Sequence, residues 1–518
     1  MDFSTSSRLR GRLRSALVLC CAAAVCATPA LSQKDHRDKA AAAKASPPKT
    51  ANQAADYNLL PPLPADKSVE QSMVLDGKTL RYKVTVGTLP VRDAKGKVVG
   101  KLVYTAYTVN EPNRPVTFAV NGGPGASSVF LNFGAIGPKH LEGIGNKGDS
   151  ASEPIHFIDN QGTWLGFTDL VFLDPIGTGY SRSLVDPAKA DALFYAPVPD
   201  VHYLGKAIYD WLVKNGRLTS RKYMVGESYG GYRVPRIVYY LQSKLGVAMN
   251  GEVLVSPYLN PTLEERGDLS PLPWMVTLPS IVAAHLEREH KLTAQAMQPV
   301  IAYDEGAYVK ALIQGNSDPA QQQAMIQKVT QMTGLSPTFV KESGGRLDTG
   351  AYLREVWREE GKIGSVYDSN VTMWDPFPWS PHQKANDPLL ASMIGPLTTA
   401  MVNFVTETVG WKTDAQYYTL SYAVNNAWKS DAALRAGSVT QLRQTIAADP
   451  KFRVVIAHGW DDLSCPFMGS VLTVNQMPIM GNPGRVSVHE FPGGHMFYTR
   501  AASRRAFEKV VQAMYSKG

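Results

Sequence analysis

The order of apolar and polar positions along the chain predicts short buried strands that alternate with helices. Four short apolar runs, each followed by a glycine-containing or polar loop, are predicted as buried strands: residues 116–120, 170–173, 223–225 and 253–255. Strands of this kind alternating with helices are typical of a doubly wound, mostly parallel sheet. Upstream, polar and apolar residues alternate on both sides of a turn at 93–96, which predicts antiparallel strands at the start of the sheet.

The strand pattern fades at about residue 261 and returns at 453–457. Between these points the spacing of apolar residues, as at 282–286 and 352–357, predicts helices. A long helical insertion followed by a return to the sheet predicts a cap over an active site, at about 262–449. The chain ends in a predicted amphipathic helix with Phe507, Val510, Val511 and Met514 on one face.

The sequence Gly-Glu-Ser-Tyr-Gly at 226–230 is the most informative motif, because it fits the G-x-S-x-G nucleophile elbow. It lies between the predicted strand 223–225 and a helix whose apolar residues recur at 234, 237, 238, 241 and 245. A strand that turns sharply into a helix exposes the serine above the sheet, so Ser228 is predicted to be a nucleophile. Glycines are expected on both sides because the turn leaves no room for side chains.

A serine nucleophile needs a base, and the base needs an acid that fixes its tautomer. In proteins with an elbow the acid follows the serine in the chain, and the histidine follows the acid. Asp461 and Asp462 both come directly after the predicted strand 453–457, so the residues leave both open as the acid. His495, in a Gly-Gly-His loop before the last helix, is the predicted base, with His489 a weaker alternative. His458 is expected to be a buried structural histidine.

The sequence Asn-Gly-Gly-Pro-Gly at 121–125 follows another predicted strand. Consecutive glycines leave backbone N–H groups free, and together with the N–H of Tyr229 they predict an oxyanion hole. A tight turn is the alternative, and it is compatible with that role. The sequence at 143–148 fits G-x-G-x-x-G, but no nucleotide is expected there because no strand is predicted before it and no helix after it.

Composition narrows the classes of function. The chain has 518 residues, of which 44% are apolar and 19% charged, as expected for a globular protein with a large core. The net charge of +8 includes four arginines among the first 32 residues, and no basic stripe is interleaved with aromatic residues. A nucleic-acid partner is therefore not expected. The histidine and cysteine spacings do not fit a metal site.

The first 32 residues predict a secretory signal peptide. They contain four arginines, then an apolar run at 16–25, and end in Ala30-Leu31-Ser32, which places small residues at the two positions that a signal peptidase recognises. The run is too short to span a bilayer, so a membrane anchor is the weaker alternative, and no other stretch is expected to cross a membrane. Residues 33–64 predict a disordered linker. The mature protein is expected to be exported, periplasmic or secreted. Cys465 is the one cysteine it would keep, so no internal disulfide is expected.

Five motifs together resemble the serine carboxypeptidase family of α/β-hydrolases, particularly its bacterial branch. In chain order they are NGGPGASS at 121–128, LDPIGTGYS at 173–181, GESYGG at 226–231, GWDD at 459–462 and GH at 494–495. The resemblance covers about residue 67 to the C-terminus. It implies an α/β-hydrolase fold over 65–518, with a central, mostly parallel sheet flanked by helices and the helical cap as an insertion.

The resemblance also implies a role for each residue that matches the family's motifs. The nucleophile, acid and base match Ser228, Asp462 and His495, and the oxyanion donors match the N–H groups of Gly123 and Tyr229. The residues that bind the substrate's terminal carboxylate match Asn121, Gly122 and Glu227. The implied substrates are peptides with a free C-terminus, and neither a cofactor nor a metal is implied.

Glu227 distinguishes the possible activities. An ionised Glu227 would repel a substrate carboxylate, whereas a protonated one would donate a hydrogen bond, and burial and the like charge both favour protonation. We therefore expect peptide binding to strengthen at acidic pH, while His495 must be neutral to act as a base. An esterase or acyltransferase with the same triad and a catalytically inactive binding protein remain as alternatives.

Overall fold

The structure is a computed structural model, and it describes residues 61–263, 269–380, 383–429 and 432–516. The predicted signal peptide, 1–32, and the predicted linker up to residue 60 lie outside the described residues.

A ten-stranded sheet forms the centre of the described chain, and two smaller sheets have two strands each. The strands, in chain order, are β1 (Lys67–Leu75), β2 (Lys78–Arg92), β3 (Val98–Thr108), β4 (Val116–Val120), β5 (Lys139–Leu141), β6 (Phe157–Asp159), β7 (Asp169–Leu173), β8 (Arg182–Ser183), β9 (Lys222–Glu227), β10 (Gly251–Val255), β11 (Lys362–Gly364), β12 (Thr372–Trp374), β13 (Arg453–Gly459) and β14 (Val486–Phe491). Every strand predicted from the apolar pattern lies within one of them.

The order of strands across the large sheet is β1-β2-β3-β7-β4-β9-β10-β13-β14, and β8 pairs with β3. Neighbours from β7 to β14 are parallel, whereas β1, β2 and β3 are antiparallel. The predicted mostly parallel sheet with antiparallel strands at its start is therefore confirmed. The turn between β2 and β3 is closed by a 2.9 Å hydrogen bond from Gly96 N to Asp93 O, where the sequence predicts it.

Helices cover both faces of the sheet. In chain order they are α1 (Pro187–Phe194), α2 (Pro197–Lys214), α3 (Tyr229–Leu245), α4 (Leu272–Arg288), α5 (Ala294–Tyr303), α6 (Val309–Gln314), α7 (Pro319–Thr333), α8 (Pro337–Glu342), α9 (Thr349–Glu355), α10 (Pro388–Asn403), α11 (Tyr422–Ala427), α12 (Ala432–Arg435), α13 (Val439–Ala448), α14 (Phe467–Asn475) and α15 (Ala501–Ser516).

The central strands contribute to two cores because successive side chains point to opposite faces of a sheet. On β4, Phe118 and Val120 pack in the core that includes α2 and α3, whereas Ala119 packs in the core that includes α10 and α15. Burial on both faces explains why these strands are continuously apolar in the sequence.

The region between β10 and β13 consists mostly of helices, as the pattern predicts, and also contains the β11–β12 hairpin, which it does not predict. Helices α4 to α7 share a third apolar core with Trp460, Phe467 and Met468, which follow β13. The inserted helices thus pack against the segment that carries the candidate acid. The limits 262–449 for a cap stay a prediction.

One helical segment among the described residues, Pro388–Thr408, is long and apolar enough to cross a membrane. This corrects the expectation that no stretch after the N-terminus has that character. Half of the segment is buried, and Leu389, Met393 and Leu397 belong to the core beneath the sheet. Packing on the sheet accounts for its apolar composition.

The G-x-G-x-x-G sequence at 143–148 does follow a strand, because β5 ends at Leu141, and this corrects the expectation that none precedes it. That strand pairs antiparallel with β6 in a separate two-stranded sheet. Residues 142–156, all of them described, contain no helix. The βαβ context that a dinucleotide site requires is therefore missing.

Candidate active site

Ser228 occupies the sharp turn between β9 and α3, at the carboxyl ends of the parallel strands. Its φ of 59° and ψ of −123° form a strained conformation for a residue other than glycine. A Cβ atom on Gly226 would lie 2.3 Å from the carbonyl oxygen of Gly230, and one on Gly230 would lie 2.6 Å from that of Val120. The turn thus requires glycine on both sides of the serine, as the motif predicts.

His495 and Asp462 form a buried pair. The distance from His495 Nδ1 to Asp462 Oδ2 is 2.7 Å, and the side chains are 1% and 0% exposed. The other carboxylate oxygen, Oδ1, accepts hydrogen bonds from the N–H groups of Ser464 (2.8 Å) and Cys465 (2.9 Å). With both oxygens engaged, Asp462 accepts a hydrogen bond from the Nδ1–H of the neutral ring, and Nε2 is left as an acceptor.

The geometry distinguishes the alternatives that the sequence leaves open. Asp462 contacts His495, whereas the neighbouring Asp461 accepts a 3.3 Å hydrogen bond from Asn370 instead. His489 lies on β14, and its side chain forms a hydrogen bond with the hydroxyl of Ser487. His458 is fully buried against Ser470, and burial lowers its pKa to about 4, which fits the predicted structural role.

The loop that carries His495 is fixed by its own backbone. The His495 N–H donates to the carbonyl of Tyr367, and its carbonyl accepts a 2.9 Å hydrogen bond from Ser256 Oγ. Burial alone would lower the pKa of His495, but the charge and hydrogen bond of Asp462 raise it above its ordinary value. The imidazolium that forms when the base takes a proton is therefore stabilised.

The glycine loop after β4 packs directly against the elbow. A Cβ atom on Gly122 would lie 2.5 Å from the backbone nitrogen of Tyr229, a distance that glycine alone permits. Gly123 has a φ of 99°, in the region that favours glycine. The residues predicted to supply the oxyanion hole, Gly123 and Tyr229, and the predicted carboxylate ligand Gly122 therefore come together in space.

The buried side chain of Arg233 donates hydrogen bonds to the backbone of this loop. Its Nη1 donates to the carbonyls of Asn121 and, at 3.4 Å, Gly122. Its Nε donates to Asp200 Oδ2 at 2.6 Å, in an ion pair with side chains 1% and 0% exposed. The C=O and N–H of a trans peptide point in opposite directions. Arg233 therefore orients the N–H groups of Gly122 and Gly123 away from itself.

Sequence reasoning missed both members of this ion pair. The available signal was a charge within an apolar helical run, since Arg233 comes directly before Val234 and near Ile237. A buried arginine requires an acidic partner. The partner, Asp200, lies 33 positions earlier on α2, and no spacing in the sequence identifies it.

Glu227, the last residue of β9, is 2% exposed and directly precedes Ser228. Its Oε2 accepts hydrogen bonds from Asn121 Nδ2 (3.0 Å) and from the hydroxyl of Tyr498 (2.6 Å). The Asn121 amide is oriented by Leu131 N–H, which donates to Oδ1 at 3.1 Å. Burial raises the pKa of Glu227 to about 7, against the lowering effect of His495 and the two hydrogen bonds. Tyr498 belongs to none of the sequence motifs.

A second, partly buried charge cluster involves Arg500, five positions after His495. Carboxylate oxygens of Glu287, Asp368 and Asp461 lie within 4.8 Å of one another, and Arg500 pairs with Glu287 and, at 2.9 Å, with Asp368. Burial and the hydrogen bond with Glu287 raise the pKa of Asp461 well above its ordinary value, which favours the neutral carboxyl group. Burial would raise the pKa of Glu287, but Asp461 and Arg500 lower it to about 2.

Comparison with known proteins gives matches along most of the chain. The model of the family described as serine carboxypeptidase matches residues 93–490. Serine carboxypeptidase-like 50 of Arabidopsis thaliana is 31% identical over 159 residues, which are 30% of this chain and 33% of that protein. Pheromone-processing carboxypeptidase KEX1 of Yarrowia lipolytica is 25% identical over 213 residues, 40% of this chain and 31% of that protein. The chain thus matches about a third of the length of these relatives.

Among solved structures, the prohormone-processing carboxypeptidase Kex1(Δ)p from Saccharomyces cerevisiae is similar, with a TM-score of 0.53 and 15% identity. The match covers 84% of this chain and 91% of that one, which shows a common fold. The elbow, the sheet and the family match agree, and the chain belongs to the serine carboxypeptidase family, with an α/β-hydrolase fold.

Proposed function

We propose that this protein is an exported serine-type carboxypeptidase that removes C-terminal residues from peptides. Ser228 is the nucleophile, His495 the base and Asp462 the acid. The observation that carries the proposal is the hydrogen bond between Asn121 and Glu227, one residue before the nucleophile, with the pKa of Glu227 raised to about 7 by burial. A neutral carboxyl group at this position favours a substrate with a terminal carboxylate over a neutral ester.

In the proposed reaction, Ser228 Oγ attacks the carbonyl carbon of the last peptide bond while His495 Nε2 takes the hydroxyl proton. The N–H groups of Gly123 and Tyr229 donate to the oxyanion of the tetrahedral intermediate. His495 then gives its proton to the leaving nitrogen, the C–N bond breaks and the C-terminal residue departs. Water, activated by the same histidine, attacks the acyl-enzyme, which releases the shortened peptide and restores Ser228.

The substrate carboxylate is bound by three groups in this proposal. The Gly122 N–H donates one hydrogen bond, and its orientation is set by Arg233. Asn121 has two amide hydrogens and uses one of them on Glu227, so the other is available to the substrate. Protonated Glu227 donates the third hydrogen bond, in an arrangement of two carboxyl groups that share one proton.

Two further parts of the proposal concern regions outside the triad. We propose that the helical region 262–449 walls the cleft, which is supported by the core that it shares with Trp460 and Phe467.

Export is supported by the arginines and apolar run of the first 32 residues. Cell fractionation tests export, because activity confined to the cytoplasm would contradict it.

The first prediction concerns the free carboxylate. A blocked dipeptide with a free C-terminal acid is expected to be hydrolysed with a kcat/KM about 100-fold above that of its C-terminal amide, because the amide loses charge-assisted hydrogen bonds. An esterase or acyltransferase would not distinguish the two compounds. Ser228→Ala is the control for background hydrolysis. Labelling of wild-type Ser228 by an organophosphonate would exclude an inactive binding protein.

The second prediction concerns pH. Below a pKa of about 7, Glu227 is protonated and donates to the substrate, whereas above it the ionised carboxylate repels the substrate and KM rises. Glu227→Gln cannot ionise, and its Nε2 faces the substrate because its oxygen must accept from Asn121 and Tyr498. We therefore expect the alkaline rise in KM to flatten in this variant. Steady-state kinetics from pH 5 to 9 measures this, and a wild-type-like alkaline limb would contradict the role of Glu227.

A further inference from the structure

We propose that Tyr498 is a positioning residue of the carboxylate subsite. Its hydroxyl fixes Oε2 of Glu227 as the accepting oxygen, so that the proton of the neutral carboxyl group lies on Oε1 and is available to the substrate. This inference rests on the proposed carboxypeptidase function and assigns a role to a residue outside the five sequence motifs.

Tyr498 reaches Glu227 from the loop of the catalytic base. It lies in the short 3₁₀ helix Phe497–Thr499, three positions after His495, and its side chain is fully buried. The backbone carbonyl of Tyr498 accepts a 2.7 Å hydrogen bond from Arg504 Nη1 on α15. The hydroxyl therefore approaches Glu227 from a backbone that is itself held in place.

One edge of the Tyr498 ring lies close to Gly134. This glycine belongs to the π-helix Phe130–Ile136, which follows the glycine loop of the oxyanion hole. A Cβ atom at position 134 would lie 3.0 Å from Cε2 of Tyr498, closer than ordinary van der Waals contact. The glycine thus leaves the space that the tyrosine ring occupies.

Two donors on one oxygen determine where the carboxyl proton resides. Oε2 accepts from both Asn121 and Tyr498, which uses its two lone pairs. Burial and the charge of Glu227 raise the pKa of Tyr498 well above 10, so the phenol stays a donor at any working pH. A proton on Glu227 therefore resides on Oε1.

Among the described residues, the titratable groups that influence the pKa of Glu227 include His495, Tyr498 and Asp462. A protonated His495 lowers the pKa of Glu227, and the charge of Asp462 raises it. Tyr498 lowers it by donating a hydrogen bond to the ionised form. Tyr498→Phe removes this donor and leaves both charged neighbours unchanged.

The test compares the free-acid dipeptide and its amide in Tyr498→Phe. We expect the ratio of their kcat/KM values to fall about tenfold, because the carboxyl group of Glu227 loses its fixed orientation. We also expect the alkaline rise in KM for the acid to move to higher pH, because ionised Glu227 has one donor fewer. A merely structural role would lower kcat/KM for both compounds equally and leave the alkaline limb in place, and that result would overturn the inference.

Two further variants keep the test decisive. Tyr308→Phe is the matched control, since Tyr308 is fully buried in the helical region and donates a 2.9 Å hydrogen bond to Gly345 O, and it should leave the acid-to-amide ratio unchanged. Gly134→Ala displaces the ring of Tyr498 without removing it and should shift the ratio in the same direction as Tyr498→Phe. Wild type that prefers the acid, with both site variants preferring it equally, would reject the Tyr498 inference alone. Wild type without that preference would reject the proposed function as well.

Discussion

Replacement of Asp462 by asparagine is expected to lower kcat by about 10,000-fold while the fold is kept, as the equivalent change does in serine proteases with a triad. The reason lies in the two backbone N–H groups, from Ser464 and Cys465, that donate to Oδ1. In the variant these donors require the amide oxygen at the same position, because an NH₂ group there would leave them unpaired. The amide nitrogen must then face His495.

An NH₂ group facing His495 reverses the tautomer of the base. Nδ1 must accept, so the ring proton moves to Nε2, which can no longer take the proton of Ser228. Steady-state kcat together with thermal melting checks this prediction. Asp461→Asn is the matched control, because the Asp461 carboxyl group accepts its hydrogen bond from Asn370 instead of His495 and burial favours its neutral form. The kcat of this variant should stay within about tenfold of wild type. The assignment of the acid fails if the two variants exchange these results.

Asp200→Ala is expected to lower the free energy of unfolding by about 3–5 kcal/mol, because it leaves the buried Arg233 without its counter-charge. The shift in the urea midpoint measures this loss. An unchanged midpoint would show that the ion pair contributes little to the folded state.

The double variant Asp200→Leu with Arg233→Met separates stability from positioning. Apolar side chains of similar volume can replace a buried ion pair without loss of stability, so most of the unfolding free energy should return. The carbonyls of Asn121 and Gly122 would still lack the guanidinium that orients their peptide groups. We therefore expect kcat to remain well below wild type in the more stable protein. Recovery of both properties together would argue against a positioning role for Arg233.

Some of the residues in these predictions could be identified from the sequence alone, and others could not. Ser228, His495 and the pair Asp461-Asp462 could be located because each follows a strand in a short motif, and local order along the chain carries that information. The choice between Asp461 and Asp462 as the acid could not be made from the residues, because adjacent side chains differ only in direction. Their hydrogen bonds to Asn370 and His495 distinguish them.

The sequence patterns do not predict contacts between elements that are far apart in the chain. Arg233 on α3 forms an ion pair with Asp200 on α2. Tyr498 donates a hydrogen bond to Glu227, which lies 271 positions earlier in the chain. Periodicity indicates which face of a helix is buried, but not which polar group on another element lies opposite. The segment Pro388–Thr408 illustrates the same limit, because its apolar length suits a membrane as well as a sheet, and only its packing distinguishes them.

The charge cluster around Arg500 has a consequence for protein engineering. Arg500, five positions after His495, pairs with Glu287 on α4 and with Asp368, and Tyr367 binds the backbone of His495 itself. Exchange of the helical region with that of a relative, as a way to alter specificity, would also exchange the residues that support His495, the proposed base. A working chimera should therefore retain Glu287 and the segment 367–368, so the natural boundary for such a graft lies inside the insertion and not at its ends.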